Sequence, residues 1–260
     1  MEINRSTSKF NRNDISKLKV VFKDLTTFDV NDVNEDISFL MINNYDKDRV
    51  FKSNRELDKI GNSLCNYIKD ILDNETVTRG TDGSNTCDFV AFLLRSIDLD
   101  SDPFKIKRQA KYIFSVNSII NEENDDPVVS SKPDFSIVKG NNILMIDEDK
   151  HHKRSGVLDK GEYQIAGEMI AAGYENMLKY KFGKRKCDFA TTIYASMVIG
   201  TRFTFYKTTI TDTYLNEVAE GTISEGITIY KFAESLEYCD PKDRVMIIKI
   251  LLKLKKNIHE

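Results

Sequence analysis

The chain is poor in the residues that break, staple or anchor a fold. Four prolines in 260 residues are too few to mark a disordered chain. The four cysteines, Cys65, Cys87, Cys187 and Cys239, stand far apart, and none forms a CxxC pair or sits near a histidine. Zinc is therefore not expected, and reduced, mostly buried thiols are. No apolar stretch reaches transmembrane length, and the start, Met1-Glu2-Ile3-Asn4-Arg5-Ser6-Thr7, has no apolar signal region. The expectation is a soluble intracellular protein, cytoplasmic or nuclear, without membrane association. A GxxxxGK[ST] phosphate loop, a GxSxG nucleophile elbow and internal repeats are all missing. The net charge of -3 argues against non-specific coating of nucleic acid, although local charge decides binding.

With 40% hydrophobic residues the chain can bury a sizeable core. Residues 1–13 are polar and expected to be mobile. The runs Leu18 to Phe22 and Ile37 to Ile42 read as strands with acidic connectors, within an N-terminal elaboration over 1–53. Residues 54–260 read as an α/β domain. Leu57, Ile60, Leu64, Ile68, Ile71 and Leu72 recur near a 3.6 period, which predicts a helix over 54–72. Helices are also predicted from Thr86 to Ile97, from Phe104 to about Ile119, from Tyr163 to about Tyr180, and from Asp243 to Ile258. Ala166, Gly167, Ala171, Ala172 and Gly173 would let the fourth of these five helices pack closely on a sheet. The β-branched and aromatic runs Ala190 to Ile199 and Thr201 to Thr208, flanking Gly200, and Ile227 to Tyr230 argue strand. The order of elements predicts a mixed central sheet flanked by helices.

The segment that carries chemistry lies between the third and fourth helices. Pro133-Asp134 opens the short apolar run Phe135 to Val138, which turns at Lys139-Gly140-Asn141-Asn142 into Ile143 to Ile146, ending in Asp147-Glu148-Asp149-Lys150. Both runs have strand length, and Gly and Asn tolerate positive φ, so a tight antiparallel hairpin is predicted. That turn brings Asp134 back toward Glu148. Alternation along a strand points Glu148 and Lys150 one way and Asp147 and Asp149 the other. Converging carboxylates repel and raise one another's pKa, and a divalent cation relieves the repulsion.

These residues resemble the motif of the PD-(D/E)xK nucleases, which share the restriction-endonuclease-like fold. The motif stands as Pro133-Asp134 and then Glu148-Asp149-Lys150, with Glu148 following Asp134 by 14 residues. The resemblance covers roughly residues 54–210. It implies Asp134 and Glu148 as metal ligands together with the backbone carbonyl of Asp149, Lys150 as the group that orients or deprotonates the attacking water, and Mg²⁺ or Mn²⁺ as cofactor. It also implies a polar residue on the helix after the second motif strand, where Gln164 fits. An acidic residue on a helix before the hairpin is implied too, for which Glu75 is the first choice and Glu56 the second. The expected activity is metal-dependent phosphodiester hydrolysis, by a DNA endonuclease ahead of other nucleases. The alternative is a silent nucleic-acid- or protein-binding module on the same fold. No histidine precedes residue 151, which counts against the cap-snatching branch of the family.

Basic residues flank the motif. Lys153 and Arg154 follow it directly, and Lys184 and Arg185 follow the Gln164 helix, so these four are the expected phosphate-backbone contacts. Nucleic acid is the expected partner, DNA ahead of RNA, with homodimerisation left open. His151 and His152 are adjacent and point apart in an extended segment, so they read as exposed neighbours of the basic cluster rather than joint ligands of one ion.

Overall fold

The computed structural model describes residues 3–25, 28–37, 59–76, 84–116, 128–150, 157–182 and 190–259. Its helices are α1 (Arg12–Lys17), α2 (Lys59–Thr76), α3 (Ser84–Ser96), α4 (Val157–Phe182), α5 (Asp212–Glu220) and α6 (Pro241–His259). Its strands are β1 (Val20–Asp24), β2 (Phe104–Arg108), β3 (Tyr112–Ser115), β4 (Val128–Ser131), β5 (Phe135–Lys139), β6 (Asn142–Lys150), β7 (Ala190–Ile199), β8 (Arg202–Thr211) and β9 (Ile227–Glu237). Seven of these form one sheet in the order β1-β9-β8-β7-β6-β5-β2, while β3 and β4 make a separate ribbon. The pairs β1–β9 and β6–β7 are parallel and the rest antiparallel. The protein is thus an α/β protein with a mixed sheet flanked by helices.

Two apolar layers hold the helices to the sheet. On one face Leu64, Ile68 and Leu72 of α2, Phe89 and Leu93 of α3, and Ile247, Ile248 and Leu251 of α6 pack on Ile137, Met145, Val198 and Phe203. On the other, Ile165, Ala166, Met169 and Ile170 of α4 pack on Ile143, Ile146, Ile193 and Met197. Among the small residues of α4, Gly173 packs closely on the sheet as expected, since a Cβ there would stand 3.0 Å from Ile210 Cδ1 of β8, whereas Gly167 faces the N-terminal segment. A Cβ at Gly167 would stand 2.6 Å from Thr7 Cγ2 and 2.7 Å from Phe10 Cε2, so only glycine admits the N-terminal segment there. No helix among the described residues is long and apolar enough to cross a membrane.

Several expectations need correction. Residues 104–116 are two strands, not a helix. Ile106, Ala110, Ile113 and Phe114 happen to fall at helical spacing, but buried Phe104 and Ile106 alternate with exposed Lys105 and half-buried Lys107, and β2 pairs along β5 from Phe104↔Lys139 to Arg108↔Phe135. The described residues before 14 are not a loose polar leader either. Phe10 is buried, and Asn11 caps α1 by accepting from the amides of Asn13 and Asp14, with Asp14 returning the bond to Asn11 N. Strand β1, placed in the elaboration by its sequence, is an edge of the main sheet. The run to Ile42 lies mostly outside the described residues.

The motif hairpin forms as its sequence predicts. Lys139 pairs with Asn142 across Gly140-Asn141, and Gly140 has a φ of 59°, the left-handed region that glycine enters without cost. A register shift follows, since Ile137 pairs with Met145 but Val138 pairs with Ile143, leaving Leu144 as the extra residue of a bulge. The bulge interrupts the ladder at Ile143, and buried Asn176 of α4 repairs it. Its Oδ1 accepts from Ile143 N at 2.8 Å and its Nδ2 donates to Ile143 O at 2.7 Å. Replacing Asn176 by Ala leaves both backbone groups unmet away from water, at an expected cost of roughly 2–4 kcal/mol. A lowered urea midpoint at constant slope would register this, and a midpoint equal to the parent's would refute the role.

Candidate metal centre

The bulge fixes which face of the sheet each acidic residue of β6 reaches. Beyond it, Met145 lies in the core under α2 and α3 while Ile146 lies in the core under α4. Alternation carries Asp147 and Asp149 onto the first face and Glu148 onto the second. Their partners on β7 agree: Asp149 stands opposite Val198 of the first core, and Glu148 opposite Met197 of the second.

Asp134 sits just before β5, at the open end of the hairpin. Its carbonyl accepts from Gln109 N at 3.0 Å, and its Oδ2 accepts from Asp149 N at 2.9 Å. The second bond crosses from the start of one motif strand to the end of the other, so it fixes the Asp134 carboxylate beside Asp149. Cys87 reaches the same place from the first turn of α3, where the positive end of the helix favours nearby anions. The Sγ of Cys87 and one carboxylate oxygen each of Asp134 and Asp149 lie within 4.8 Å of one another. They are the one such trio of His, Cys, Asp or Glu ligand atoms among the described residues. Cys87 and Asp134 are half-buried, whereas Asp149 is buried.

Burial without compensation marks the deeper carboxylates. Buried Asp147 accepts from Ser196 Oγ through Oδ1, but its Oδ2 and both oxygens of Asp149 find no well-formed hydrogen bond, and the groups that approach them are one another and the Cys87 thiol. Desolvation, with the charges of Asp134 and Glu148 adding to it, pushes the Asp147 carboxyl up to about 7, against the opposing effect of the Ser196 hydroxyl. Asp149 is raised well above the ordinary carboxylate range, first by burial and then by Asp147 and Asp134. The Cys87 thiol is likewise driven upward, first by burial and then by Asp149, Asp134 and Asp147. Bringing a dication here would reverse each of these penalties, because it supplies the missing opposite charge.

The remaining expected site residues divide into three groups. Gln164 is buried on α4 and donates through Nε2 to Glu168 Oε1 at 2.8 Å, and Glu168 is itself fully buried. Glu148 is buried, yet no close trio of ligand atoms among the described residues includes it. Lys150 closes β6 opposite Ile199, and Glu75 lies near the end of α2, but the side chains of both fall outside the described residues. So do Glu56, Lys153, Arg154, Lys184, Arg185 and the histidine pair at His151 and His152. Sequence reasoning missed Cys87, the side chain of Asp149, Asp147 and Glu168. Only Glu168 left a signal, four residues after Gln164 on one helix face. No protein-family model matches this chain, and no curated protein matches its sequence.

Proposed function

We propose that the protein is a metal-dependent nuclease that hydrolyses phosphodiester bonds, on a restriction-endonuclease-like arrangement of the α/β sheet. The observation that carries this reading is the bond from Asp149 N to Asp134 Oδ2, which joins the two halves of the Pro133-Asp134 … Glu148-Asp149-Lys150 motif around buried carboxylate oxygens lacking partners. Such oxygens suit a hard divalent cation, Mg²⁺ or Mn²⁺. When bound, the cation lowers the pKa of a water and polarises the scissile phosphate. Asp134 and Asp149 would hold it, with Glu148 adding negative charge from the adjoining position on β6. Lys150, the last residue of that strand, would orient the attacking water and offset charge on the phosphate. Lys153, Arg154, Lys184 and Arg185 would grip the backbone on either side, with DNA the proposed substrate ahead of RNA.

The direct test is incubation of the protein with circular and linear, single- and double-stranded DNA and RNA in Mg²⁺, Mn²⁺ or EDTA. Cleavage of closed circles that EDTA abolishes establishes a metal-dependent endonuclease. Because Glu148 stands outside the trio of close ligand atoms, a second reading has its own support: the fold is kept for binding nucleic acid or protein, without turnover. Thermal unfolding separates the two. An ion bound only by the folded chain stabilises it by about 2.7 kcal/mol at 100 times its dissociation constant, so the nuclease reading expects a raised melting temperature in Mn²⁺. An unmoved melting temperature favours the binding module.

A further inference from the structure

The geometry points to a sulfur ligand in this centre: Cys87 Sγ binds the divalent cation together with Asp134 and Asp149, and tilts the site from Mg²⁺ toward Mn²⁺, Co²⁺, Zn²⁺ and Cd²⁺. The inference rests on reading the cluster as a metal site, and it adds a ligand and a selectivity that the nuclease motif does not contain. The three side chains come from separate elements, the first turn of α3, the residue before β5 and the end of β6. Their ligand atoms nevertheless lie within 4.8 Å of one another. At tetrahedral angles, bonds of about 2.3 Å to sulfur and 2.0–2.2 Å to oxygen put the ligand atoms of one ion roughly 3.4–3.7 Å apart. A trio within 4.8 Å therefore closes on one ion by drawing in by at most about 1.4 Å, within the reach of side-chain rotations.

A second observation points to a ligand independently of the spacing. Asp149 is only 7% exposed, and its carboxylate oxygens meet no partner outside the cluster itself, where only the Cys87 thiol and the Asp147 carboxyl approach them. Unmet acceptors buried to that degree are costly, and a cation in the trio meets them. Cys87 is a free thiol that rests on the apolar layer under α3 with one side and faces two carboxylates with the other. The other described cysteines, Cys65 and Cys239, are buried in that apolar core. On binding, the thiol gives its proton to solvent, so uptake of the ion releases a proton and strengthens as pH rises. A thiolate among oxygens selects by softness. Mg²⁺ gains little from sulfur, whereas affinity for N, O and S sites climbs from Mn²⁺ through Co²⁺, and Zn²⁺ and Cd²⁺ take thiolates readily.

The test is titration of the metal-free full chain with Co²⁺, followed by absorption. A thiolate on cobalt produces a charge-transfer band in the near ultraviolet. The band is expected in the parent and in Cys187→Ser, and is expected to vanish in Cys87→Ser. Zn²⁺ competing for the same site should bind Cys87→Ser at least about tenfold more weakly than the parent, while Mg²⁺ affinity stays within a few-fold. Cys87→Asp, which replaces the thiol by a third carboxylate, should raise Mg²⁺ affinity over the parent's. Cobalt bound without the band, a band that survives Cys87→Ser, or no cobalt bound at all overturns the proposal. Nucleic-acid cleavage is read separately. A cobalt band without cleavage keeps the sulfur ligand and removes the nuclease, and Mg²⁺-dependent cleavage without a band does the reverse.

Discussion

Asp134→Ala is expected to lower metal-dependent cleavage by roughly a thousandfold or more while leaving the protein folded. Asp134 precedes β5, is half-buried, and lies outside both apolar core layers. Its loss removes the acceptor of Asp149 N, worth about 1 kcal/mol, and at the same time relieves repulsion against Asp147 and Asp149, which its charge drives upward. The two effects oppose each other, so the melting temperature without metal should change little and the far-ultraviolet circular dichroism not at all. Lys150→Ala is expected to match the loss of cleavage, since the charge that offsets the phosphate would go with it. Asp149→Ala should abolish the stabilisation by Mn²⁺, whereas Glu148→Ala, on the α4 side of β6, should reduce it less. Full cleavage by both Asp134→Ala and Lys150→Ala would sink the nuclease reading. A larger metal-binding loss for Glu148→Ala than for Asp149→Ala would move the ion to the other face of the sheet.

The hairpin was legible because its signals are local. Gly140 and Asn141 supply the turn, four residues flank each side, and the parity of Asp147 through Lys150 follows from the two-residue period of any strand. Which face each parity reaches was not legible. Ile143 to Ile146 are all apolar, so no alternation within the run betrays the bulge at Leu144, and the residue that stabilises it, Asn176, lies 33 positions onward in another element. Cys87 was hidden for a related reason. It enters the centre across the helix layer from α3, and no periodicity links a residue of α3 to the end of β6. The segment from Phe104 failed differently. Its apolar residues satisfy a helical and a strand period at once, and pairing with β5 decides between them. Helices α2, α3, α4 and α6 were legible because each is long enough for only one period to fit.

The stability of the metal-free protein is expected to fall as pH rises from about 4 to about 7, the reverse of the usual acid denaturation of carboxylate-rich proteins. Burial, first, and the charges of Asp134 and Glu148 hold the Asp147 carboxyl up to about 7, against about 3.9 in an unfolded chain. Within that window the folded protein keeps a proton that the unfolded chain has lost. Each pH unit then costs about 1.4 kcal/mol per such proton. Asp149 is raised for the same principal reason, burial, and adds in the same direction. Asp32 shifts oppositely, held at about 2 first by Lys253 and then by Lys256, but it titrates below the window and does not mask the effect. Asp147→Asn is uncharged in both states, so it should flatten the profile and leave the protein more stable than the parent near neutral pH. A divalent cation should act at the same end, because the deprotonated cluster binds it best and recovers there what the charge cost. The measurement is a set of urea unfolding curves across the window in EDTA and again in Mn²⁺, for the parent and for Asp147→Asn. A parent midpoint that rises with pH in EDTA would show that these carboxyls are charged in the folded protein without metal, and that something other than a bound ion compensates them.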